Sequence, residues 1–180
     1  MLRVLTLAVS VTLLPNLASA QCNPGDFPFE SYCFSFNRVH GTFADTNALC
    51  LKTVGGHLVT IFNQIENNWI QKLAVDNLDA DYDFFWIGAS DQGHTNDWRW
   101  TDGSPLNFTN FANGEPLEDR HCAVMQLSSG KWFSDVCSVK HQFVCQYPQN
   151  GGPTGSPYTC PPCPSCKNPY KPNFLNILKH

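Results

Sequence analysis

Nine cysteines in a chain of 180 residues are the feature that most restricts how this protein can fold. Cysteines at this density are typical of extracellular proteins, in which an oxidising environment converts them into a framework of disulfide bonds. Six of them lie between Cys22 and Cys145, and the other three lie together in the later segment CPPCPSC. Because nine is an odd number, at least one thiol stays free or pairs with another chain.

The first twenty residues have the organisation of a secretory signal peptide. Arg3 supplies a positive charge, VLTLAVSVTLLPNL an apolar segment, and ASA a small-residue cleavage site before Gln21. The alternative, a membrane helix, is less favoured because Pro15 interrupts the run, which falls short of the roughly twenty residues that a bilayer requires. We therefore predict a signal peptide over residues 1–20 and a secreted, extracellular protein with no membrane anchor.

Composition and charge limit both the domain count and the class of partner. The chain is 42% hydrophobic and 14% charged, which suits a folded core rather than intrinsic disorder. The net charge of −4 becomes −5 without Arg3 and argues against nucleic acid as a partner. From Pro148 onward the chain carries eight of its thirteen prolines and no acid. We predict one domain over residues 21–147 and an extended Pro/Cys-rich tail over residues 148–180.

Two helices are predicted in the first half of the domain. In TFADTNALCLKTVG, the spacing of Thr42 and Asp45 indicates an N-terminal cap, and the Gly-Gly pair that begins at Gly55 indicates the end. Its apolar face is assigned to Phe43, Leu49, Cys50 and Val54. The second helix is NQIENNWIQKLAVDN, whose inward face is assigned to Ile65, Trp69, Leu73 and Val75.

Short strands account for most of the remaining domain. The segments are YCFSFNR, HLVTI and DFFWIGAS, followed later by HCAVMQL, KWFSD and HQFVCQY, the last three being typical of an antiparallel sheet. Residues 91–120 lie between these two groups and are rich in Gly, Asn, Asp and Thr. A loop of this length in a small domain usually carries function.

Several motifs occur in a characteristic order: a paired cysteine opening, GGHLVTI after Cys50, WIGA, WRWTDGSPLNFTNFANGEP, and HCAVM…GKWFSDVC…FVCQY. In this order and spacing the chain resembles the C-type lectin-like domain, in its long form, from Cys22 to Tyr147. The resemblance implies an α+β fold of two helices and small antiparallel sheets, with a loop from Asp91 to Arg120 that presents the ligand site. It implies that Trp86, Trp98, Trp100 and Trp132 are core or loop-anchoring residues, and that the disulfides are Cys22–Cys33, Cys50–Cys145 and Cys122–Cys137.

The same resemblance directs attention to a calcium and sugar site. Sugar-binding members hold calcium with a Glu-Pro-Asn motif, a later Glu, and an Asn-Asp pair after a tryptophan. This chain keeps Glu115 and Asp135, but Leu117 replaces the first Asn, Arg120 stands where a Glu is expected, and Ser134 replaces the second Asn. Calcium prefers six to eight oxygen ligands, so we predict weak or absent calcium binding at Glu115 and Asp135. The candidate sugar-binding residues are Glu115, Asp135, Glu118, Asp119 and Ser134.

Three further features complete the sequence interpretation. Asn107, in the sequence NFT, is an acceptor for N-glycosylation. Once the implied domain disulfides are formed, Cys160, Cys163 and Cys166 remain as candidates for disulfides between chains, because zinc would need a fourth ligand that is not evident. The histidines show neither metal spacing nor a partner nucleophile and, apart from His57, are assigned to the surface, so an enzyme is not expected.

These features together predict a secreted C-type lectin-like binding protein that recognises surface or microbial glycans, or a surface glycoprotein, in innate defence. The tail is expected to link copies into multimers. The alternative is a calcium-independent domain of the same family that binds a protein.

Overall fold

The computed structural model describes residues 22–91 and 97–149. Two α-helices and eight β-strands follow one another along this part of the chain. In order they are β1 (Phe27–Phe29), β2 (Tyr32–Gly41), α1 (Phe43–Val54), β3 (His57–Leu58), α2 (Gln64–Asn77), β4 (Phe84–Ser90), β5 (Arg99–Trp100), β6 (Cys122–Gln126), β7 (Trp132–Asp135) and β8 (His141–Pro148).

The strands form one mixed sheet in the order β1-β2-β8-β4-β6-β7, with β3 beside β8 and β5 beside β4. The pairs β1–β2, β2–β8, β4–β6 and β6–β7 are antiparallel, whereas β8 runs parallel to β4. Of the last three predicted strands, β6 and β7 pair antiparallel with each other, whereas β8 is antiparallel to β2 and β3 and parallel to β4. The last strand, β8, crosses to the middle of the sheet and leaves β7 at one edge.

Helix α1 begins and ends where the sequence predicts. The hydroxyl of Thr42 accepts a hydrogen bond from the backbone N–H of Asp45, and Gly55 closes the helix in the left-handed conformation at φ 68°. Glycine suits that position because it has no Cβ to clash with the backbone. Phe43 and Cys50 are buried on the inner face, and Leu49 and Val54 pack against the same cluster.

Helix α2 is present, but its predicted inward face is wrong at Ile65 and Val75, whereas Trp69 packs against the core. Ile65 is 75% exposed and Val75 is 49% exposed. The buried residues of α2 are instead Glu66, Asn67, Ile70 and Ala74. Polar contacts decide this orientation, since the Asn67 amide accepts from Trp132 Nε1 at 2.7 Å and donates to the Gly130 carbonyl at 3.1 Å. Neither contact is visible in the apolar periodicity of the helix.

The predicted strand HLVTI pairs only at His57 and Leu58. Beyond them, Val59 and Ile61 are fully buried, and the Val59 N–H donates to the Val144 carbonyl. Thr60 donates its N–H and its hydroxyl to the Gln146 side chain. The segment is thus held by contacts on both sides without extending the ladder of β3.

Three disulfides join distant parts of the domain: Cys22–Cys33, Cys50–Cys145 and Cys122–Cys137. These are the pairs that the resemblance implies. Cys50–Cys145 connects α1 to β8 across 95 residues of chain, so it closes most of the domain. Such a bridge removes a large part of the conformational entropy of the unfolded chain.

Four tryptophans were expected in the core or at loop anchors. Trp86 and Trp132 are fully buried, Trp100 is nearly so, and Trp98 is partly buried against the ring of Phe111. The expectation is confirmed for all four. Tyr147 is also buried, and burial, together with its hydrogen bond to Asp26, raises the pKa of its hydroxyl to about 12.

Candidate functional site

The edge strand β7 is covered by the segment that precedes β6. Trp132 donates its backbone N–H to the Asn110 carbonyl at 3.0 Å, and its own carbonyl accepts from the Ala112 N–H at 2.9 Å. The Trp132 ring packs edge-on against Phe108 and Phe111. These contacts fix the start of the 113–120 loop, so that the loop lies beside the second half of β7.

Ser134 and Glu115 join that loop to β7. Glu115 Oε2 accepts hydrogen bonds from the backbone N–H of Ser134 at 2.8 Å and from the Ser134 hydroxyl at 2.5 Å. The same hydroxyl accepts from the Leu117 N–H at 2.8 Å. The peptide bond between Glu115 and Pro116 is cis. Ser134, which is almost fully buried, thus connects both sides of the proline to the strand.

Asp135, the next residue of β7, points to the opposite face of the strand. Its Oδ2 accepts from Nε2 of His141 at 2.7 Å, and its Oδ1 accepts from the Val136 N–H at 2.7 Å. The guanidinium of Arg120 lies 4.0 Å from Oδ1. The assignment of His141 to the surface is therefore wrong. Its side chain is only 14% exposed and packs edge-on against Trp86 at 4.7 Å between ring centroids.

Glu118 and Asp119, the proposed substitute ligands, lie at the exposed turn of the 113–120 loop. This turn is closed by a hydrogen bond from the Arg120 N–H to the Leu117 carbonyl. Leu117 itself is 40% exposed. The structure places Glu118 and Asp119 in the same loop as Glu115, with both side chains exposed to solvent.

A shallow depression of about 100 Å³ lies between the 113–120 loop and the sheet. The rings of Phe84 and Phe133, 5.6 Å apart and edge-to-face, form part of its wall together with Val124. Charged and polar groups form the rest, namely Glu115, Arg120, Ser134 and Asp135. Three of the five residues predicted to bind sugar therefore line one concave surface, and Phe84, Phe133 and Arg120 join them there.

The side chains of this depression do not match the demands of a calcium ion in the geometry described. Calcium takes six to eight oxygens at 2.3–2.6 Å, a range typical of proteins. Glu115 and Asp135 are the two carboxylates here, and both already accept hydrogen bonds from protein donors. Across residues 22–91 and 97–149, no group of three or more His, Cys, Asp or Glu side chains is arranged to hold a metal. Donors from the protein contact Oε2 of Glu115 and both carboxylate oxygens of Asp135.

Sequence reasoning also missed a second histidine contact. His121 Nδ1 lies 2.9 Å from the buried carboxylate of Asp91, at the opposite end of β6 from the Phe84 ring. A signal for His141 was available, because strand alternation places it on the same face as Phe143 and Cys145, which are core residues. No comparable signal exists for His121, which depends on a contact across 30 residues.

The remaining predicted sites fall in two groups. Asn107 is exposed, and the neighbouring Phe108 faces inward against Trp132. The signal peptide over 1–20 and the cysteines at 160, 163 and 166 lie outside the described residues. Within the described part of the chain, no helix is both long and apolar enough to cross a membrane.

Known proteins are similar to this chain in sequence and in fold. The family model "Lectin C-type domain" matches residues 39–147. The C-type lectin lectoxin-Lio2 of Erythrolamprus poecilogyrus is 32% identical, covering 82% of this chain and 94% of the relative. The galactose-specific lectin nattectin of Thalassophryne nattereri is also 32% identical, covering 71% and 81%.

The fold agrees with solved structures as well. Human lithostathine superposes with a TM-score of 0.69 at 28% sequence identity, over 78% of this chain and 99% of that one. This match confirms the predicted α+β C-type lectin fold. The family consists of binding proteins rather than enzymes, as expected from the sequence. On the family match and on both relatives, this chain belongs to the C-type lectin domain family.

Proposed function

We propose that this protein recognises glycans through the depression beside β7, by direct contacts and without a bridging calcium ion. The observation that carries the proposal is the composition of that surface. It combines two aromatic rings, Phe84 and Phe133, with the carboxylates of Glu115 and Asp135 and the guanidinium of Arg120. Aromatic rings pack against the apolar faces of sugars, while charged side chains bind their hydroxyls.

Each polar group in the depression has a defined hydrogen-bonding role. Carboxylate oxygens accept from sugar hydroxyls, and the guanidinium of Arg120 donates to ring or hydroxyl oxygens. Both bonds from Ser134 reach Oε2 of Glu115, and within the described residues no hydrogen-bond donor contacts Oε1. Arg120, with a side chain 42% exposed, is also placed to pair with an acidic sugar. Where neutral sugars bind, the Glu-Pro pair favours mannose-like ligands, as the family resemblance implies.

Calcium binding is proposed to be weak or absent. Ser134 and His141 supply the donors that keep the Glu115 and Asp135 carboxylates in place. A metal would have to displace these bonds, and Arg120 would oppose its charge at Asp135. Glu118 and Asp119 remain candidate contacts for ligand at the rim, since both are exposed.

We further propose that the protein is secreted, acts outside the cell in defence, and is N-glycosylated at Asn107. The signal-peptide pattern and the three disulfides support secretion. Cys160, Cys163 and Cys166 are proposed to form disulfides between copies. Linked copies gain avidity for a surface that repeats the same sugar, which compensates for shallow individual sites.

The decisive experiment is a glycan array probed with the secreted protein in calcium and again in chelator. We expect binding to the same glycans under both conditions. Arg120→Ala should lower binding by about ten- to a hundredfold, because it removes charge-assisted bonds worth roughly 1.5–3 kcal/mol. Arg99→Ala is the matched control, since Arg99 is equally an exposed arginine but pairs with Asp97 away from the depression. Equal loss in both variants, or binding abolished by chelator, would refute the proposal.

A second candidate function is recognition of a protein by the same edge. The exposed apolar side chains of Leu117, Val136 and Val139 favour it, with 40%, 45% and 38% of their surfaces accessible. Protein interfaces bury such side chains at their centre, whereas sugars gain less from them. Leu117→Ser should then abolish partner binding while leaving glycan binding unchanged. An array without any glycan signal, together with capture of a protein partner that Leu117→Ser loses, would select this alternative.

A further inference from the structure

Helix α2 presents an apolar surface to solvent near its N-terminal end. Ile65 is the most exposed large apolar side chain of the described residues, at 75%, and Phe62 just before the helix is 45% exposed. Trp69, which is four positions after Ile65 and therefore on the same face, is only partly buried. We call Phe62, Ile65 and Trp69 the α2 patch. Trp69 contacts Phe29 and Phe34, whereas Phe62 and Ile65 stay exposed because α2 turns Ile70 and Ala74 to the core.

The chain leaves the domain close to this patch. The backbone N–H of Gln149 donates to the Ser31 carbonyl, and its side-chain amide donates to the carbonyl of Glu30 at 2.9 Å. Phe29, one residue before Glu30, packs on Trp69 with ring centroids 4.7 Å apart. Gln149, the last described residue, therefore lies beside the β1–β2 turn, a single ring contact away from the α2 patch.

The segment that follows has the composition of a ligand for such a surface. Residues 174–178, FLNIL, hold four large apolar side chains in five positions. They follow 24 residues of linker, which reach roughly 25 Å even as a flexible coil. The charges are complementary as well, because residues 21–149 carry seven basic and fifteen acidic side chains, whereas residues 150–180 carry three lysines and no acid.

We propose that residues 174–178 dock on the α2 patch of their own chain. Docking covers Ile65 and the exposed part of Trp69. The tail then carries two separate elements, a cysteine segment for linkage between copies and an apolar segment that returns to the domain. The α2 patch lies on a different element from the β7 depression, so occupancy of the patch leaves the ligand site open.

Limited chymotrypsin digestion of the full secreted chain tests this docking. Chymotrypsin cleaves after Phe174 and Leu175, and docking hides both bonds. Ile65→Gln should accelerate cleavage there on the order of three- to tenfold, because cleavage follows the population of undocked tail. Leu51→Gln on α1 is the matched control, since Leu51 is 67% exposed but lies on the other helix. Unchanged cleavage in Ile65→Gln, or equal acceleration in both variants, would overturn the proposal.

A second measurement tests whether residues 174–178 are the segment that covers the α2 patch. In the full chain, the methyl resonances of Ile65 should move toward those of a solvent-exposed isoleucine when Leu175→Ser and Ile177→Ser are introduced together. A nitroxide at Leu175→Cys, in a chain with Cys160, Cys163 and Cys166 changed to Ser, should broaden the Ile65 methyls on the same chain. Broadening that occurs only between labelled and unlabelled chains in a mixture would show exchange between copies and refute docking within one chain. Absence of broadening in either arrangement would refute it as well.

Discussion

The two sides of the sheet are stabilised by different kinds of interaction. On the β2–β8 side, α1 and β8 are joined by Cys50–Cys145, and the neighbouring side chains of Leu58, Phe143 and Phe43 are almost completely buried. On the β7 side, the 113–120 loop is held by hydrogen bonds of one serine and by the contacts of Asp135. The β2–β8 side thus combines apolar burial with a bridge that spans 95 residues of chain. On the β7 side the Cys122–Cys137 bridge spans only 15 residues, and polar contacts place the loop.

This difference shows how the site can vary while the fold persists. Apolar burial and a long-range disulfide do not depend on the identity of the loop residues, so changes at 115–120 leave the core intact. The polar contacts at Ser134 and His141 then determine how the loop is placed. In this chain those contacts hold the side chains of Glu115 and Asp135 in place.

The largest expected effect comes from removing the disulfide Cys50–Cys145. Cys50→Ala with Cys145→Ala should lower the free energy of unfolding by about 4–5 kcal/mol, because 95 residues of chain are released in the unfolded state. Urea unfolding of the protein in oxidising buffer measures it. Removing Cys22 and Cys33, which are 11 residues apart, should cost less. An equal cost for the two bridges would contradict the chain-entropy explanation.

Removing the Ser134 hydroxyl tests the polar contacts that hold the 113–120 loop against β7. Ser134→Ala leaves Glu115 and the Leu117 N–H each without one partner, so we expect a loss of about 1–3 kcal/mol in unfolding free energy. Glycan binding should fall as well, because the loop loses its attachment to β7.

Ser129→Ala is the control for that variant, since the Ser129 hydroxyl also donates to a side chain but is exposed. It should change stability by less than about 0.5 kcal/mol. If Ser134→Ala were equally neutral, the loop would be held by other contacts and the contrast between the two sides would fail.

A buried carboxylate on the core side gives a smaller, pH-dependent effect. Burial raises the pKa of Glu66 above its usual value, and nearby Glu30 raises it further, while the bond from the Phe62 N–H opposes both. A raised pKa in the folded state means that Glu66 favours folding when protonated and that this contribution is lost as pH rises through the folded pKa.

Glu66→Gln should therefore stabilise the protein slightly at pH 7 and make no difference below the ordinary pKa of a glutamate. Thermal melts of parent and variant at pH 3.5 and pH 7 measure this change. Stabilisation that is independent of pH would indicate a packing effect rather than the charge.

The smallest expected effect is that of calcium itself. A ligand that binds the folded state at a millimolar Kd stabilises it by less than about 0.5 kcal/mol at 1 mM. We therefore expect almost no change in Tm on adding 1 mM calcium or excess chelator. Micromolar binding would instead raise the unfolding free energy by about 4 kcal/mol at 1 mM and would show that the loop rearranges around the metal.

Sequence by itself determined much of this protein because the information is local or comes from recognisable motifs. The capping residue Thr42 and the left-handed Gly55 set the ends of α1 through their own backbone preferences. The order of the cysteine and tryptophan motifs identified the family, and with it the fold and the pairing of the bridges. Glu115 and Asp135, which the sequence singled out, line one concave surface.

Only the tertiary structure decided which side of α2 is buried. It also decided which groups donate hydrogen bonds to the carboxylates of Glu115 and Asp135, and which aromatic rings line the same depression. Asn67 turns α2 by bonding Trp132 across 65 residues, Ser134 meets Glu115 across 19, and Phe84 meets Phe133 through the register of β4, β6 and β7. Such contacts depend on strand order and on bulges in the sheet. Neither is encoded in the spacing of any single segment, because long-range pairing is chosen by the packing of the whole domain.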